Sequence, residues 1–302
     1  MNEGDVRPNT FLIGAQKSAT TSLYNWVAQH PEVCGPSSLK DLPFFARDTF
    51  FEKGIGSLQD AYKEEGCAGE SIVMQGCVQY MYYPVAIERI YGFDSNAKIL
   101  VVLRNPVDRA ISAYEYFKKM KLETLNFNEA IDRESERMES GDIQIRSGLT
   151  YRPHGLYGKQ MEHVYRFFPK KQVMVIKYEE VQNNPSQVVK KVYEFLGVDK
   201  GYEPEYNLLN KTGSVKSSLV QTLFFKQSNI RKALVNIIDP ILPLHRRTKI
   251  RWAINEWNTK ESKADKEDFE FEKKQLYNYY IEDIKLLEKV TGIDFNEWKK
   301  EN

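Results

Sequence analysis

Short apolar runs alternate with amphipathic stretches along most of this chain. Phe11-Leu12-Ile13 precedes Gly14, and Leu23, Trp26 and Val27 then fall at i, i+3 and i+4, the spacing that lines one face of a helix. His30-Pro31 closes that helix, because a residue before proline is pushed out of the α region. Lys98 to Leu103 (KILVVL) is a continuous β-branched and aliphatic run, the pattern of a strand buried on both faces. Asn105-Pro106 follows it and suits an N-cap and first helical position. Ala110, Ile111, Tyr114 and Phe117 then mark a helical stripe. Gln172 to Lys177 (QVMVIK) repeats the plan, with Asn184-Pro185 opening a helix that carries Val188, Val192, Phe195 and Leu196. Gly197 is placed to stop it.

Strands alternating with helices predict an α/β fold, a single domain over 1–302 with a central parallel sheet flanked by helices. Two regions are less regular. Residues 121–149 are highly charged and suit a helix and a mobile loop near the site. Residues 226–259 mix basic and aromatic side chains, among them Arg231, Arg246, Arg247, Arg251, Trp252 and Trp257. These two regions are expected on the substrate side. Residues 260–302 form a helical tail, with Leu276, Tyr280, Ile284 and Leu287 at helical spacing for packing on the sheet.

Composition narrows the function. The 302 residues carry a net charge of only +1, from 43 basic and 42 acidic side chains. A general polyanion binder such as a nucleic-acid protein is normally far more basic, so any anion site is local. The polar start, with Glu3 and Asp5, has no signal-peptide core. Nowhere do about 18 apolar residues run together, so no membrane span is expected. The cysteines, Cys34, Cys67 and Cys77, are odd in number and include no C-x-x-C pair. They read as reduced, mostly buried thiols of a cytoplasmic protein.

Two segments suit anions. Gly14-Ala15-Gln16-Lys17-Ser18-Ala19-Thr20-Thr21-Ser22 turns a strand into a helix through small residues. The first N–H groups of that helix lack internal partners and its dipole is positive there. Lys17 adds charge and several hydroxyls add donors, which makes a P-loop-like anion cradle. The nucleoside-triphosphate loop itself requires G-x-x-x-x-G-K-[ST], whereas here the lysine precedes the small residues. A helix-capping turn with no ligand remains the plain alternative. The second segment runs from Arg104 to Tyr114, after a buried strand. Arg104 is expected where the C-terminal edge of a parallel sheet opens to ligands. Ser112 follows about two helical turns later, so guanidinium and hydroxyl suit one phosphate. The alternative is a surface arginine and an ordinary helical serine. Together the two segments point to one ligand with two separated phosphate-type groups, such as adenosine 3′-phosphate 5′-phosphosulfate (PAPS).

These two segments resemble the PAPS-dependent sulfotransferase family, in the branch that includes heparan-sulfate sulfotransferases and their bacterial relatives. Lys40-Asp41-Leu42-Pro43-Phe44-Phe45 resembles the family's K-E-x-H/P-F-F segment. Gly69-Glu70 with Tyr80 resembles its G-E-x-S-P-x-Y segment, with Ile72 to Gly76 as extra residues and Cys77-Val78 where Ser-Pro is usual. Tyr157-Gly158-Lys159-Gln160, Phe168-Pro169, Val173 to Glu179, Phe195-Leu196-Gly197 and Trp298 also fit. The resemblance implies that Gln16, Lys17, Ser18, Ala19, Thr20, Thr21 and Ser22 hold the phosphosulfate. It places Arg104 and Ser112 on the 3′-phosphate, and Tyr178, Lys211, Gly213, Ser214 and Lys216 with the nucleotide. Asp41 occupies the position of the family's catalytic glutamate, one methylene shorter.

The resemblance therefore implies in-line transfer of a sulfuryl group to a hydroxyl or amine of a glycan or small-molecule acceptor. Asp41 is the expected base, Lys17 the leaving-group stabiliser, Glu70 the second choice of base and His154 the third. His30 and His163 read as structural. PAPS is the co-substrate, and no metal is expected. The competing classes are a small-molecule kinase with a variant P-loop and a non-catalytic nucleotide-binding scaffold.

Overall fold

The computed structural model describes residues 6–206, 213–215, 246, 250, 253–254, 257, 259–261 and 268–300. Where the sequence suggests one domain, the chain groups into two compact units. The first holds Met1–Arg109, Arg152–Asn210 and Lys273–Asn302, and the second Ala110–Tyr151 and Lys211–Glu272.

The first unit is built on five parallel strands, β1 (Thr10–Gly14), β2 (Val33–Cys34), β3 (Ile72–Gly76), β4 (Lys98–Leu103) and β5 (Val173–Lys177), in the order β2-β3-β1-β4-β5. Residues Ile72 to Gly76, read from sequence as extra, are thus a fully buried strand beside the centre of the sheet. Side chains alternate across each strand, and both faces are covered. Leu12, Leu100 and Val102 join a core with α1 (Thr20–Val27) and α11 (Pro185–Leu196). Phe11, on the other face, packs edge-on against Phe45 and Phe93, at ring-centroid distances of 5.6 and 6.5 Å. Phe93 ends α4 (Pro84–Phe93).

Helix boundaries follow the local chemistry. The Asn105 side chain accepts from Val107 N–H at 3.0 Å and so caps α5 (Pro106–Lys119), which crosses from the first unit into the second. Asn184 makes no such side-chain bond, so α11 starts on Pro185 alone. Gly197 ends α11 with φ 79°, the left-handed conformation that glycine adopts without penalty. Further helices of the first unit are α2 (Asp48–Phe51), α3 (Ile55–Glu64), α9 (Tyr157–Phe167), α10 (Tyr178–Asn183) and most of α12 (Glu270–Thr291). The expected stripe of α12 is buried at Leu276, Tyr280, Ile284 and Leu287, and it includes one acid, Asp283. No helix of the described residues is long and apolar enough to cross a membrane.

In the second unit the charged segment 121–149 folds as three short helices, α6 (Phe127–Asp132), α7 (Glu134–Glu139) and α8 (Ile143–Gly148), rather than as the expected helix and loop. Buried Glu123 organises it. Its carboxylate takes two bonds from Arg137, at 2.7 and 3.1 Å, and one from the Tyr151 hydroxyl at 2.8 Å. Burial alone raises this carboxyl, but the Arg137, Leu125 and Tyr151 donors outweigh it and hold it below its ordinary value. Two short antiparallel strands, β6 (Gly213–Val215) and β7 (Thr259–Glu261), complete the described part.

The cysteine expectation is overturned. Cys34, at the end of β2, is bonded to Cys67, which lies 33 residues on. Sequence spacing hides this pair because the sheet edge, not a local turn, brings the two together. Cys77 is free and buried; burial, then the charge of Asp41, pushes its thiol up to about 12. A bridge of this span removes denatured-state entropy worth about 3–4 kcal/mol. Urea denaturation with and without a dithiol reductant should show a loss of that order, and an unchanged midpoint would contradict the bond.

Candidate active site

The loop after β1 begins under tight constraint. Ala15 N–H donates to Val102 O at 2.6 Å, and Met81 N–H donates to Ile13 O at 3.0 Å. Met81 lies so close that a Cβ on Gly14 would stand 2.9 Å from its sulfur and 3.0 Å from its own Cβ. Lys17 and Ala19 then take φ of 65° and 58°, a left-handed conformation that costs a non-glycine residue about 1–2 kcal/mol. Ala19 caps α1 and offers no side-chain hydrogen bond, so the first N–H groups of the helix stay open to a ligand. Ser18, between the two strained residues, is 0% exposed and its Oγ has no hydrogen-bond partner. The Gln16 Oε1 is likewise buried and unpartnered. Each orphaned polar group costs about 1–3 kcal/mol unless something else satisfies it. Thr20 and Ser22 are buried, while Gln16, Lys17, Ala19 and Thr21 are half-buried.

Arg104 follows β4 at the same C-terminal edge. Its Nη1 donates to Lys17 O at 3.3 Å, and its guanidinium lies 4.7 Å from the centre of the Tyr178 ring. The fold thus brings together three residues named from sequence: Lys17, Arg104 and Tyr178. Arg109 is fully buried. Ser112 lies half-buried on α5, in the second unit.

Asp41 stands at the end of β3, the neighbour of β1. Its N–H donates to Gly76 O at 2.6 Å, and its φ is 63°. The Lys40 ammonium meets its Oδ2 at 2.8 Å, with the lysine side chain 2% and the aspartate 36% exposed. The Val78 N–H lies 3.4 Å from Oδ1. Asp41 is therefore held by backbone, by a buried cation and by the strand end, while one side of it stays accessible. Lys40 enters the sequence reading only as part of the K-E-x-H/P-F-F resemblance, with no role, and the structure places its ammonium against the acid. Beneath them the Tyr24 hydroxyl donates to Met74 O at 2.9 Å; burial, and then the Asp41 charge, raise that phenol above its ordinary range.

Glu70 does not join this group. It precedes β3, so it lies at the opposite edge of the sheet, a strand length of about 16 Å away at 3.3 Å per residue. Its carboxylate accepts from Ala68 and Gly69 N–H at 2.9 and 3.1 Å. Burial works to raise it, but these backbone donors and its own N–H hold it below the ordinary value, the reverse of what a base needs. Among the described residues, Glu70 with Cys34 and Cys67 forms the one cluster of metal-type ligands, and its two sulfurs are already bonded to each other.

His154 is buried in the turn before α9 and stacks on Tyr82 with ring centroids 3.7 Å apart. His30 is structural: Nδ1 accepts from Glu32 N–H, which leaves Nε2–H to donate to Asp199 O at 2.9 Å. His163 Nε2 lies 3.3 Å from Pro84 O. Gly213 and Ser214 fall in β6. Lys211, Lys216, Arg231, Arg247, Arg251 and Trp252 lie outside the described residues, while Arg246 and Trp257 are exposed.

Comparison with known proteins gives a consistent picture. A family model described as "Sulfotransferase domain" matches residues 7–217. The human heparan sulfate glucosamine 3-O-sulfotransferase 3A1 is 26% identical over 218 residues, covering 70% of this chain and 50% of that protein. The mouse bifunctional heparan sulfate N-deacetylase/N-sulfotransferase 4 is 26% identical over 210 residues, covering 67% of this chain and 23% of its own length. The chain thus spans half or less of these curated relatives. A crystal structure of a sulfotransferase from Alicyclobacillus acidocaldarius is similar at a TM-score of 0.64 and 27% identity, covering 98% of this chain and 100% of that one.

The strand end that carries Asp41 is sensitive to added volume. A Cβ at Gly76 would stand 2.8 Å from the Tyr24 ring. Gly76→Ala should cost about 1–3 kcal/mol by urea denaturation, and a stability equal to the unaltered chain would show that Tyr24 does not fill this space.

Proposed function

This chain belongs to the sulfotransferase family, and on that premise we propose that it moves a sulfuryl group from PAPS to a hydroxyl or amine of a glycan or small-molecule acceptor. The observation that carries the reading is the loop itself. Ser18 Oγ is wholly buried without a partner between two left-handed residues, directly beside the arginine that bonds Lys17 O. Strain and an orphaned donor are both tolerable where a bound oxyanion repays them.

In this reading Lys17, Ser18 and the open N–H groups of α1 bind the 5′-phosphosulfate, with Gln16, Ala19, Thr20, Thr21 and Ser22 shaping the cradle. Arg104 and Ser112 bind the 3′-phosphate, Tyr178 supports Arg104, and Lys211, Gly213, Ser214 and Lys216 belong to the nucleotide-covering segment. Asp41 accepts the acceptor's proton as the new bond to sulfur forms. The bond from sulfur to the bridging oxygen breaks, its electron pair stays on that oxygen, and adenosine 3′,5′-bisphosphate leaves. Lys17 and the loop N–H groups stabilise the charge that develops there, and Lys40 keeps the Asp41 carboxylate aimed.

The heparan sulfate named in the relatives' titles supports a glycan acceptor. The similarity to the Alicyclobacillus protein supports a bacterial-type member. The Cys34–Cys67 bond favours an oxidising compartment over the cytoplasmic location expected from the cysteine pattern.

Adenosine 3′,5′-bisphosphate should raise the melting temperature without magnesium; a shift that appears only with magnesium and ATP would point to a kinase. With sulfur-labelled PAPS and an accepted glycan, Lys17→Ala should lower kcat about 100- to 1000-fold and Asp41→Asn about 100-fold or more. Full turnover by the Asp41 variant would remove it as the base.

A further inference from the structure

One buried side chain outside the expected set faces the same place. Tyr157 opens α9, and that helix start is held firmly. Asp283 of α12 accepts from Gly158 N–H at 2.6 Å and from Lys159 N–H at 3.1 Å. Gly158 admits this approach because any Cβ there would collide with the α12 backbone. The Tyr157 ring is 1% exposed and packs 6.4 Å from the Trp298 ring. Its hydroxyl is buried and makes no hydrogen bond of standard geometry among the described residues, although the Ser18 hydroxyl and the Arg104 backbone lie within its reach.

The surroundings of that hydroxyl are specific. Burial pushes the phenol up to about 12, while the guanidinium groups of Arg109 and Arg104, the Ser18 hydroxyl and the Arg104 backbone all act on it in the opposite sense. The phenol therefore lies beside Ser18, whose own Oγ is buried and unpartnered, and within the field of two arginines. Two neighbouring buried hydroxyls in the field of two guanidinium groups match one oxyanion that accepts from both.

We propose that Tyr157 is a further donor-binding residue, whose hydroxyl donates to a phosphate oxygen of the nucleotide in concert with Ser18 Oγ. This rests on the reading of the loop as the PAPS site. Tyr157 belongs to α9 rather than to the loop, and Asp283 holds the start of that helix in place.

The test is Tyr157→Phe, which keeps the ring and its packing and removes only the hydroxyl. Titration calorimetry with adenosine 3′,5′-bisphosphate should show a Kd raised roughly 10-fold or more, the scale of a lost bond to a charged group. The KM for PAPS should rise in parallel with little change in kcat. The ligand-free melting temperature should stay level or rise, because the variant deletes a buried polar group that lacks a partner. A Kd within about twofold of the unaltered protein overturns the proposal. So does a lower ligand-free melting temperature, which would assign the hydroxyl to the fold. Failure of the unaltered protein to bind the nucleotide at all would instead sink the donor reading beneath it.

Discussion

Lys17 and Ala19 hold the chain in the left-handed region, where a Cβ crowds the following carbonyl. Neither is glycine, so both conformations cost free energy that the surrounding fold must supply. The sheet does so from three sides. Ala15 N–H is tied to Val102 O, Ile13 O is tied to Met81 N–H, and Lys17 O is tied to Arg104. These bonds fix where the loop leaves β1 and where α1 begins. Alanine at the cap also lacks the side-chain acceptor that a serine or aspartate would provide. A strained loop, an uncapped helix start and an orphaned serine are one arrangement, of the kind that a bound anion would satisfy at once.

The residue proposed as the base depends on the same sheet edge. Asp41 is not simply on a neighbouring loop: its own N–H is bonded to the last residue of β3, and its carboxylate is held by a buried lysine. Moving β3 would move the acid relative to β1. Gly76 therefore has a double duty, accepting that bond and leaving room for the Tyr24 ring.

Much of the fold was legible in the sequence because buried parallel strands need continuous apolar runs. KILVVL and QVMVIK became β4 and β5, and Asn105-Pro106 and Gly197 marked helix ends as their chemistry requires. Ile72 to Gly76 is harder to read, since Gln75 and Gly76 dilute its apolar character. Lys17, Arg104 and Tyr178 were legible as types and are brought together by the fold. Glu70 was misplaced because sequence proximity to a strand does not reveal which end of it faces the ligand. The Cys34–Cys67 bond and the burial of Tyr157 are long-range consequences of the fold, which no local spacing encodes.

The strained loop is the seat proposed for the nucleotide's 5′-phosphate. A crystal structure of the unaltered protein with adenosine 3′,5′-bisphosphate addresses it directly. The expected result is that phosphate against Lys17 and the start of α1, with Ser18 Oγ donating to it. A nucleotide bound elsewhere, with Ser18 Oγ still unpartnered, would contradict it.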